Sequence, residues 1–164
     1  MKNITSRNFS ILCDFMDVYQ FMIDIYEKDW RNGVPAPFLE YALVSDWMDK
    51  SKVHRFKIWE DSGVMVGLVF YENPINDVYF SLRPGYEELA EEMVAYAVSS
   101  MPRVDGKLRL VIFGAQTAIT EEAKKAGFQK TFEYMEKVFD FEQSLDHPLP
   151  EGFHFVEPGN LSLE

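Results

Sequence analysis

The residues with the clearest chemical potential lie in the stretch LRPGYEELAEEM, residues 82–93. This stretch has the layout of a strand end, a proline–glycine turn and a helix start. Unpaired N–H groups and the positive end of the dipole make such a helix start suitable for phosphate. Four glutamates occupy it here, and acidic side chains also stabilise a first helical turn: Glu87, Glu88, Glu91 and Glu92. The sequence thus leaves open a phosphate site, an altered phosphate site or a capped helix.

The net charge of -11 narrows the class of partner. Nucleic acid is a polyanion that requires a basic stripe, and none is visible, so we expect no nucleic-acid binding. An acidic surface attracts cationic ligands such as amines, although it also simply keeps a protein soluble. Cys13 is the single cysteine and the three histidines are scattered, so no disulfide and no metal site are expected. Aspartates interrupt the apolar stretch 9–26, so we expect no membrane segment, no signal peptide and a cytoplasmic protein.

Apolar periodicity predicts the elements of the first half of the chain. It indicates helices over 14–28 and from 37 or 38 to 48. An opening strand is predicted near residues 3–5. Three strands are then predicted, joined by the turn signals DSG and NPIN: HRFKIWED, VMVGLVFYE and DVYFSL. Consecutive hairpins of this kind predict an antiparallel sheet.

The second half predicts a change from antiparallel to parallel pairing. The helix that starts within 82–93 is expected to end near Ser100, and KLRLVIFGA is predicted to be the best-buried strand. TEEAKKAGF is predicted to be a short helix, with Thr120 as N-cap and Gly127 after its C-terminus. KTFEYMEKVFDF is predicted to add one strand, or two with a bend. A strand–helix–strand crossover joins parallel strands, so the expected fold class is α/β (α+β) with a mixed sheet.

Two segments carry a resemblance to a known family: FSLRPGY at the end of the predicted fourth strand and AKKAGFQK before the last strands. Together with the element order, they resemble the GCN5-related N-acetyltransferases (GNAT family) over roughly residues 3–141. The resemblance implies a largely antiparallel mixed sheet with flanking helices, in which two parallel strands splay apart to admit acetyl-CoA. It also implies acetyl transfer from acetyl-CoA to a small amine.

The resemblance implies a cofactor site along the predicted fourth strand and the helix after it. The pantetheine arm would hydrogen-bond to the backbone around Phe80 and Leu82 as an added strand does. The pyrophosphate would lie near Arg83, Leu89 and Ala90. Family members place it on an R/Q-x-x-G-x-G/A loop, because glycines let the backbone approach the phosphates. The corresponding positions here read EELAEE, with Ala90 the only small residue, so acetyl-CoA binding is expected to be weak or absent.

Acetyl transfer requires a general base, because an amine substrate arrives protonated. The resemblance implies a carboxylate on the central strands, with Glu72 as the first candidate and Asp77 as the second. Both residues are also explained as ordinary carboxylates at strand ends. The tyrosine that often serves the family as general acid falls at Ala123, which cannot donate a proton. Tyr134 could substitute for it.

Aromatic residues of the first two helices are the candidates for an acceptor pocket. These helices overhang the substrate groove in the family, so the resemblance implies Phe38, Tyr41 and Trp47 as acceptor-binding residues. Core packing is the simpler explanation of the tryptophans Trp30, Trp47 and Trp59.

The tail of the sequence predicts a domain boundary. Two prolines near residue 149 indicate an extended linker, and GFHFVEPGN looks like a first strand of something further. LPEGFHFVEP resembles the entry into a second acetyltransferase domain of tandem GNAT proteins. We therefore expect a GNAT-like domain at 1–142, and at 143–164 a linker with the start of a truncated second domain.

Two functional hypotheses follow from the resemblance. In the first, the chain is an acetyltransferase domain that acts on a small amine. In the second, it is a non-catalytic half that supports an active carboxyl-terminal GNAT domain through structure, substrate binding or dimerisation. The partners expected are thus a small-molecule amine, a second GNAT domain of the same protein and a second copy in a homodimer.

Overall fold

The computed structural model describes residues 2–135, 149–154 and 156. The chain divides into two compact units, Met1–Glu133 and Tyr134–Glu164. In the second unit, the N–H of Phe153 donates to the C=O of Pro150 at 3.0 Å and closes a turn. The predicted domain boundary at 142/143 lies outside the described residues. All helices and strands given below belong to the first unit.

Within the described residues, five strands form one mixed sheet in which the spatial order follows the sequence: β1 (Ile4–Asn8), β2 (Lys57–Asp61), β3 (Val64–Tyr71), β4 (Asp77–Leu82) and β5 (Arg109–Val111). Strands β1 to β4 pair antiparallel. Strand β5 pairs in parallel with β4, from Asp77 opposite Arg109 to Tyr79 opposite Val111. The predicted mixed, largely antiparallel sheet is therefore confirmed.

In the part of the chain that the structure describes, four α-helices flank the sheet: α1 (Ile11–Asp24), α2 (Ala36–Val44), α3 (Ala90–Ser100) and α4 (Thr117–Lys125). Short 3-10 helices lie at Lys50–Arg55 and Glu87–Leu89. Helix α1 ends four residues before its predicted end, and the carbonyl of Ile25 beyond it accepts from the side-chain amide of Asn32 at 2.8 Å. Helix α2 ends at Val44 rather than near residue 48, because Ser45 adopts an extended conformation with ψ 142°.

Strand β3 lies at the centre of the core. Every residue from Met65 to Tyr71 is buried. Side chains alternate between the two faces of a strand, so both faces of β3 are covered. Gly67 allows close contact on one of these faces, since a Cβ there would lie 3.5 Å from the Met93 side chain of α3. Strand β4 pairs with this buried strand from Val78 to Leu82.

Strand β5 differs most from its prediction. KLRLVIFGA was expected to be the best-buried strand, but only Arg109–Val111 pairs, and its side chains are exposed or half-buried. The prediction of burial is wrong because, within the described residues, β5 pairs only with β4 and lies at the sheet edge. Residues 130–135, which begin KTFEYMEKVFDF, form no strand, and 136–141 lie outside the described residues.

Helix α4 begins earlier than its sequence suggested. It starts at Thr117, so Thr120 lies inside the helix and is not its N-cap. The Thr120 hydroxyl instead donates to the C=O of Gln116 at 3.0 Å. Gly127 follows the helix with a φ of +87°, which confirms the predicted C-terminal glycine. The earlier start places Gln116, rather than Thr120, at the junction of β5 and α4.

Candidate functional site

The side of β4 that faces away from β3 carries the backbone groups to which an added strand or a strand-like ligand would bind. We call this side the β4 edge. Pairing with β5 ends at Tyr79, so the groups beyond it need other partners. The C=O of Phe80 accepts from the side chain of Gln116 at 2.9 Å. The N–H of Leu82 donates to the C=O of Asn32 at 2.8 Å. The chain itself therefore occupies this part of the edge.

The side chain of Gln116 bridges β4 and the chain after β5 at the point where their backbone pairing has ended. Its Nε2 donates to the C=O of Phe80, and its Oε1 accepts from the N–H of Phe113 at 3.1 Å. The residue is 5% exposed. An amide side chain suits this position because it carries a donor and an acceptor on one planar group. Sequence reasoning missed Gln116, since a polar residue between a strand and a helix reads as an ordinary loop residue.

The loop after α1 supplies the second contact to the β4 edge. Asn32 is 8% exposed, and its side chain is bonded to the carbonyl of Ile25. Gly33 follows with a φ of +139°, and a Cβ there would lie 2.3 Å from the Oγ of Ser81. Trp30 of the same loop packs edge-on against Phe113, with 5.2 Å between ring centroids. The loop is thus fixed against the sheet at several points.

A cleft of about 410 Å³ lies between this loop, the end of β4 and the start of α4. We call it the β4–α4 cleft, and its lining includes Glu27, Arg31, Leu82, Glu87 and residues 115–119. Arg31 is paired with the Asp29 carboxylate at 2.7 Å. The cleft therefore combines carboxylates with the N-terminal end of α4, where a helix dipole is positive.

Hydrogen bonds within the turn from Arg83 to Glu88 pair several of its own polar groups. The N–H of Tyr86 donates to the C=O of Arg83 at 3.3 Å across Pro84 and Gly85, whose φ is +85°. These are the features of a type II turn. The Glu87 carboxylate accepts from the N–H of Gly85 at 2.9 Å. The turn is therefore capped by Glu87, the first of the glutamates that follow it.

Two cations lie near this turn. Arg83 donates to the C=O of Met65 at 3.1 Å and lies 3.7 Å from the carboxylate of Asp24. It therefore pairs with α1 rather than with the neighbouring glutamates. Lys2 bonds to the carboxylate of Glu88 and to the C=O of Gly85. Both cations already have partners within the chain.

Four of the predicted cofactor residues have their side chains in the core. Phe80, Leu82, Leu89 and Ala90 are all buried. Burial of Ala90 explains a small side chain at this position without any ligand. Only backbone groups of these residues could meet a cofactor, and the C=O of Phe80 is already bonded to Gln116.

Glu72 is the more available of the two carboxylates proposed as base. Burial raises its pKa, and the Tyr79 hydroxyl approaches its Oε2 at 3.4 Å. Asp77 is instead held by Arg109, whose Nη2 lies 2.7 Å from its Oδ2. Five strand steps separate Asp77 from Leu82, or roughly 17 Å. The structure therefore places Glu72 and the β4–α4 cleft at opposite ends of β4.

The three predicted acceptor residues lie in two separate aromatic contacts. Phe38 packs on Tyr79, with 5.2 Å between ring centroids. Tyr41 and Trp47 contact each other at 5.4 Å and are both exposed. Core packing is confirmed for Trp59, which is fully buried, but it is wrong for Trp47, which is 41% exposed because it lies in the turn region after α2.

Comparison with known proteins adds no identification. No family model matches this chain, and no curated protein is detectably similar to it. Within the described ranges, no group of histidine, cysteine and carboxylate side chains is arranged to hold a metal ion. None of the helices in the described part has both the length and the apolar character that a bilayer crossing requires. The site must therefore be interpreted from its geometry.

Proposed function

We propose that this chain is a GNAT-like domain that supports acetyl transfer from acetyl-CoA to a small amine without binding acetyl-CoA itself. The sheet order, the parallel β4–β5 pair and the turn after β4 support the family. The closed β4 edge supports the non-catalytic role. An active carboxyl-terminal GNAT domain of the same protein would then carry the cofactor and the chemistry.

The main support for the non-catalytic role is that polar backbone groups of β4 beyond Tyr79 are already hydrogen-bonded within the chain. The pantetheine arm would need the free polar groups of β4 beyond Tyr79. Gln116 bonds to the C=O of Phe80, and Asn32 bonds to the N–H of Leu82. A cofactor must displace a side chain and a main-chain carbonyl before it can bind there.

Charge at the turn adds a second obstacle. A unit charge about 8 Å from another interacts by about 0.5–1 kcal/mol at a surface dielectric of about 40–80. The four glutamates of the short 3-10 helix and the first turn of α3 would therefore cost a pyrophosphate about 1–3 kcal/mol, or roughly ten- to a hundredfold in affinity. They are Glu87, Glu88, Glu91 and Glu92. Lys2 forms an ion pair with Glu88 among them.

The other end of β4 supports a role in binding an amine. Glu72 is a half-buried carboxylate beside the aromatic pair Phe38 and Tyr79. Aromatic faces and carboxylates both attract cations. The acidic net charge of -11 acts in the same direction. An amine acceptor held here would fit the supporting role.

Direct catalysis by this domain is the second candidate, and the pKa of Glu72 favours it. Burial raises that pKa, which is the direction that suits a general base near neutral pH. The position of the usual general acid is against it, because Ala123 is buried and has no proton to donate.

Titration calorimetry with acetyl-CoA tests the proposal on this chain. We expect no heat of binding up to about 1 mM cofactor, a concentration at which a micromolar site would saturate. The triple variant Glu87→Arg, Glu88→Gly, Glu92→Gly should also fail to bind, because the β4 edge stays occupied. A matched variant with glutamine at the same three positions removes the charge alone. Micromolar binding by the wild type, or a clear gain in either variant, would show an open groove and refute the proposal.

A further inference from the structure

Helix α1 has a second apolar face in addition to the one in the core. Its core face contains Val18, Phe21 and Met22. The second face has the alternating four- and three-residue spacing of a helix-pairing seam. It comprises Leu12, Met16, Tyr19 and Ile23, and Tyr26 continues the spacing two residues beyond the end of α1. Leu12 is 95% exposed and Met16 is 69% exposed. We call these five residues the α1 stripe. A helix on the surface of a monomer needs only its core face to be apolar.

The α1 stripe continues onto α2. The Tyr19 hydroxyl interacts with the carboxylate of Glu40. Ile23 and Tyr26 line an apolar hollow of about 240 Å³ together with residues 35–37 at the start of α2. Tyr41 and Val44 are exposed on α2 itself. The apolar surface therefore extends across two neighbouring helices.

The exposed area is large enough for a stable interface. Seven large apolar side chains on or beside this surface are at least two-fifths exposed: Leu12, Met16, Ile23, Tyr26, Tyr41, Val44 and Trp47. Their exposed parts amount to on the order of 800 Å², which is the area that each partner buries in an interface of standard size. Contiguous apolar patches of this extent mark interaction sites on soluble proteins.

The surface is also complementary to itself. The protruding Leu12 and the apolar hollow beside Ile23 and Tyr26 lie at opposite ends of the α1 stripe. Pairing α1 with a second α1 in antiparallel orientation about Tyr19 places each Leu12 at the hollow of the other copy. A two-fold axis satisfies both contacts at once. We infer that the chain forms a two-fold symmetric homodimer through the α1 stripe.

The salt dependence of binding distinguishes a second copy of the chain from a basic partner protein at the α1 stripe. Each copy carries a net charge of -11, so two copies repel each other and added salt screens the repulsion. Dimerisation should therefore tighten as salt rises. A cationic partner on the same surface would bind more weakly as salt rises.

Sedimentation velocity of the full chain tests the dimer. The wild type should sediment as a dimer at tens of micromolar, and Leu12→Asp should sediment as a monomer. Leu12 is almost fully exposed, so the substitution leaves the core intact, and circular dichroism checks this. Val64→Asp introduces the same charge at an exposed position in the β2–β3 hairpin and should remain dimeric. A monomeric wild type, or a dimer that Leu12→Asp leaves unchanged, overturns the inference.

A complementary pair of variants tests the antiparallel arrangement. Ile23→Lys should be monomeric alone, as should Leu12→Asp. Mixing the two should restore a heterodimer, because one contact gains an opposite-charge pair and the other keeps its native residues. A mixture of Ile23→Lys and Val64→Asp should form no such heterodimer. Failure of the first mixture to associate would refute this orientation.

The distance between the Cys13 residues of the two copies tests the same antiparallel arrangement. Cys13 is exposed and lies next to Leu12, six residues from the centre of the α1 stripe. A rise of about 1.5 Å per residue and a helix separation of about 8–10 Å place the two cysteines roughly 20 Å apart in an antiparallel pair. Nitroxide labels on Cys13 should give a distance of this order by pulsed electron paramagnetic resonance. A parallel pair would bring the labels to roughly the helix separation alone, and this result would contradict the proposed axis.

Discussion

Removing the Gln116 side chain should destabilise the domain measurably. Gln116→Ala leaves the N–H of Phe113 and the C=O of Phe80 without their partners. A buried polar group left unpaired costs about 1–3 kcal/mol. Water entering from the β4–α4 cleft satisfies part of this need, so we expect a loss of about 2–4 kcal/mol in the free energy of unfolding. That is a large fraction of the roughly 5–15 kcal/mol by which a typical domain is stable.

Gln116→Glu keeps the shape of the side chain and distinguishes the contribution of the bond to Phe80 from that of the bond to Phe113. In Gln116→Glu, the ionised carboxylate still accepts from the N–H of Phe113 but repels the C=O of Phe80. The protonated carboxyl restores the lost donor. Folding therefore favours the protonated form and raises the pKa of the new carboxyl above its value of about 4.3 in the unfolded chain. The variant should be most stable below pH 4.3, and it should lose stability as the pH rises through the folded-state pKa.

Urea unfolding followed by circular dichroism measures both effects. Wild type, Gln116→Ala and Gln116→Glu are compared at pH 4, 5.5 and 7, values on both sides of the carboxyl's pKa of about 4.3. Gln129→Ala and Gln129→Glu are the matched controls, since Gln129 is exposed in the loop after α4. A loss below about 0.5 kcal/mol in Gln116→Ala, the range of ordinary surface substitutions, refutes the bridging role. So does a Gln116→Glu stability that follows the wild type at every pH.

Three further substitutions have defined outcomes. Tyr71→Phe removes a hydroxyl that donates to the C=O of Asp49 at 2.8 Å, and it should cost about 1–2 kcal/mol in chemical unfolding. Burial raises the pKa of Tyr71 to about 12, so wild-type stability should fall as the pH rises from about 10 towards 12, and Tyr71→Phe should lose less there. Glu72→Gln should raise the melting temperature at pH 7 but not below pH 4, because burial disfavours the ionised carboxylate of Glu72. Gly33→Ala should lower the melting temperature strongly, because its Cβ would lie 2.3 Å from the Oγ of Ser81; an unchanged value would mean that the loop moves freely.

The sheet could be predicted from the sequence because its signals are local. Strands β2, β3 and β4 follow one another through short turns, so apolar runs and turn residues determine their pairing. No short turn joins strand β5 to the strand with which it pairs, because helix α3 lies between β4 and β5 in the sequence. An apolar run such as KLRLVIFGA indicates burial only if a neighbour covers it, and its neighbours depend on residues far along the chain. Helix α4 was placed too late for a related reason, since a threonine resembles an N-cap wherever it occurs.

The contacts that close the candidate site could not be predicted at all. Gln116 and Phe80 are far apart in the sequence, and their hydrogen bond depends on where β5 stops pairing. The contact of Asn32 uses a main-chain carbonyl, which every residue possesses, so its identity carries no signal. The glutamates of the turn were visible because charge is read directly from residue type.

The obstacles to a cofactor at β4 differ in how easily a ligand could overcome them. Gln116 can rotate away, and pantetheine amides would replace its hydrogen bonds nearly one for one. The glutamates cost about 1–3 kcal/mol that no ligand group returns, yet substitution removes this cost. The carbonyl of Asn32 can leave Leu82 only if the loop moves, and Gly33 is pressed against Ser81 there. The loop is therefore the decisive obstacle, and variants of the turn or of Gln116 alone should not restore acetyl-CoA binding.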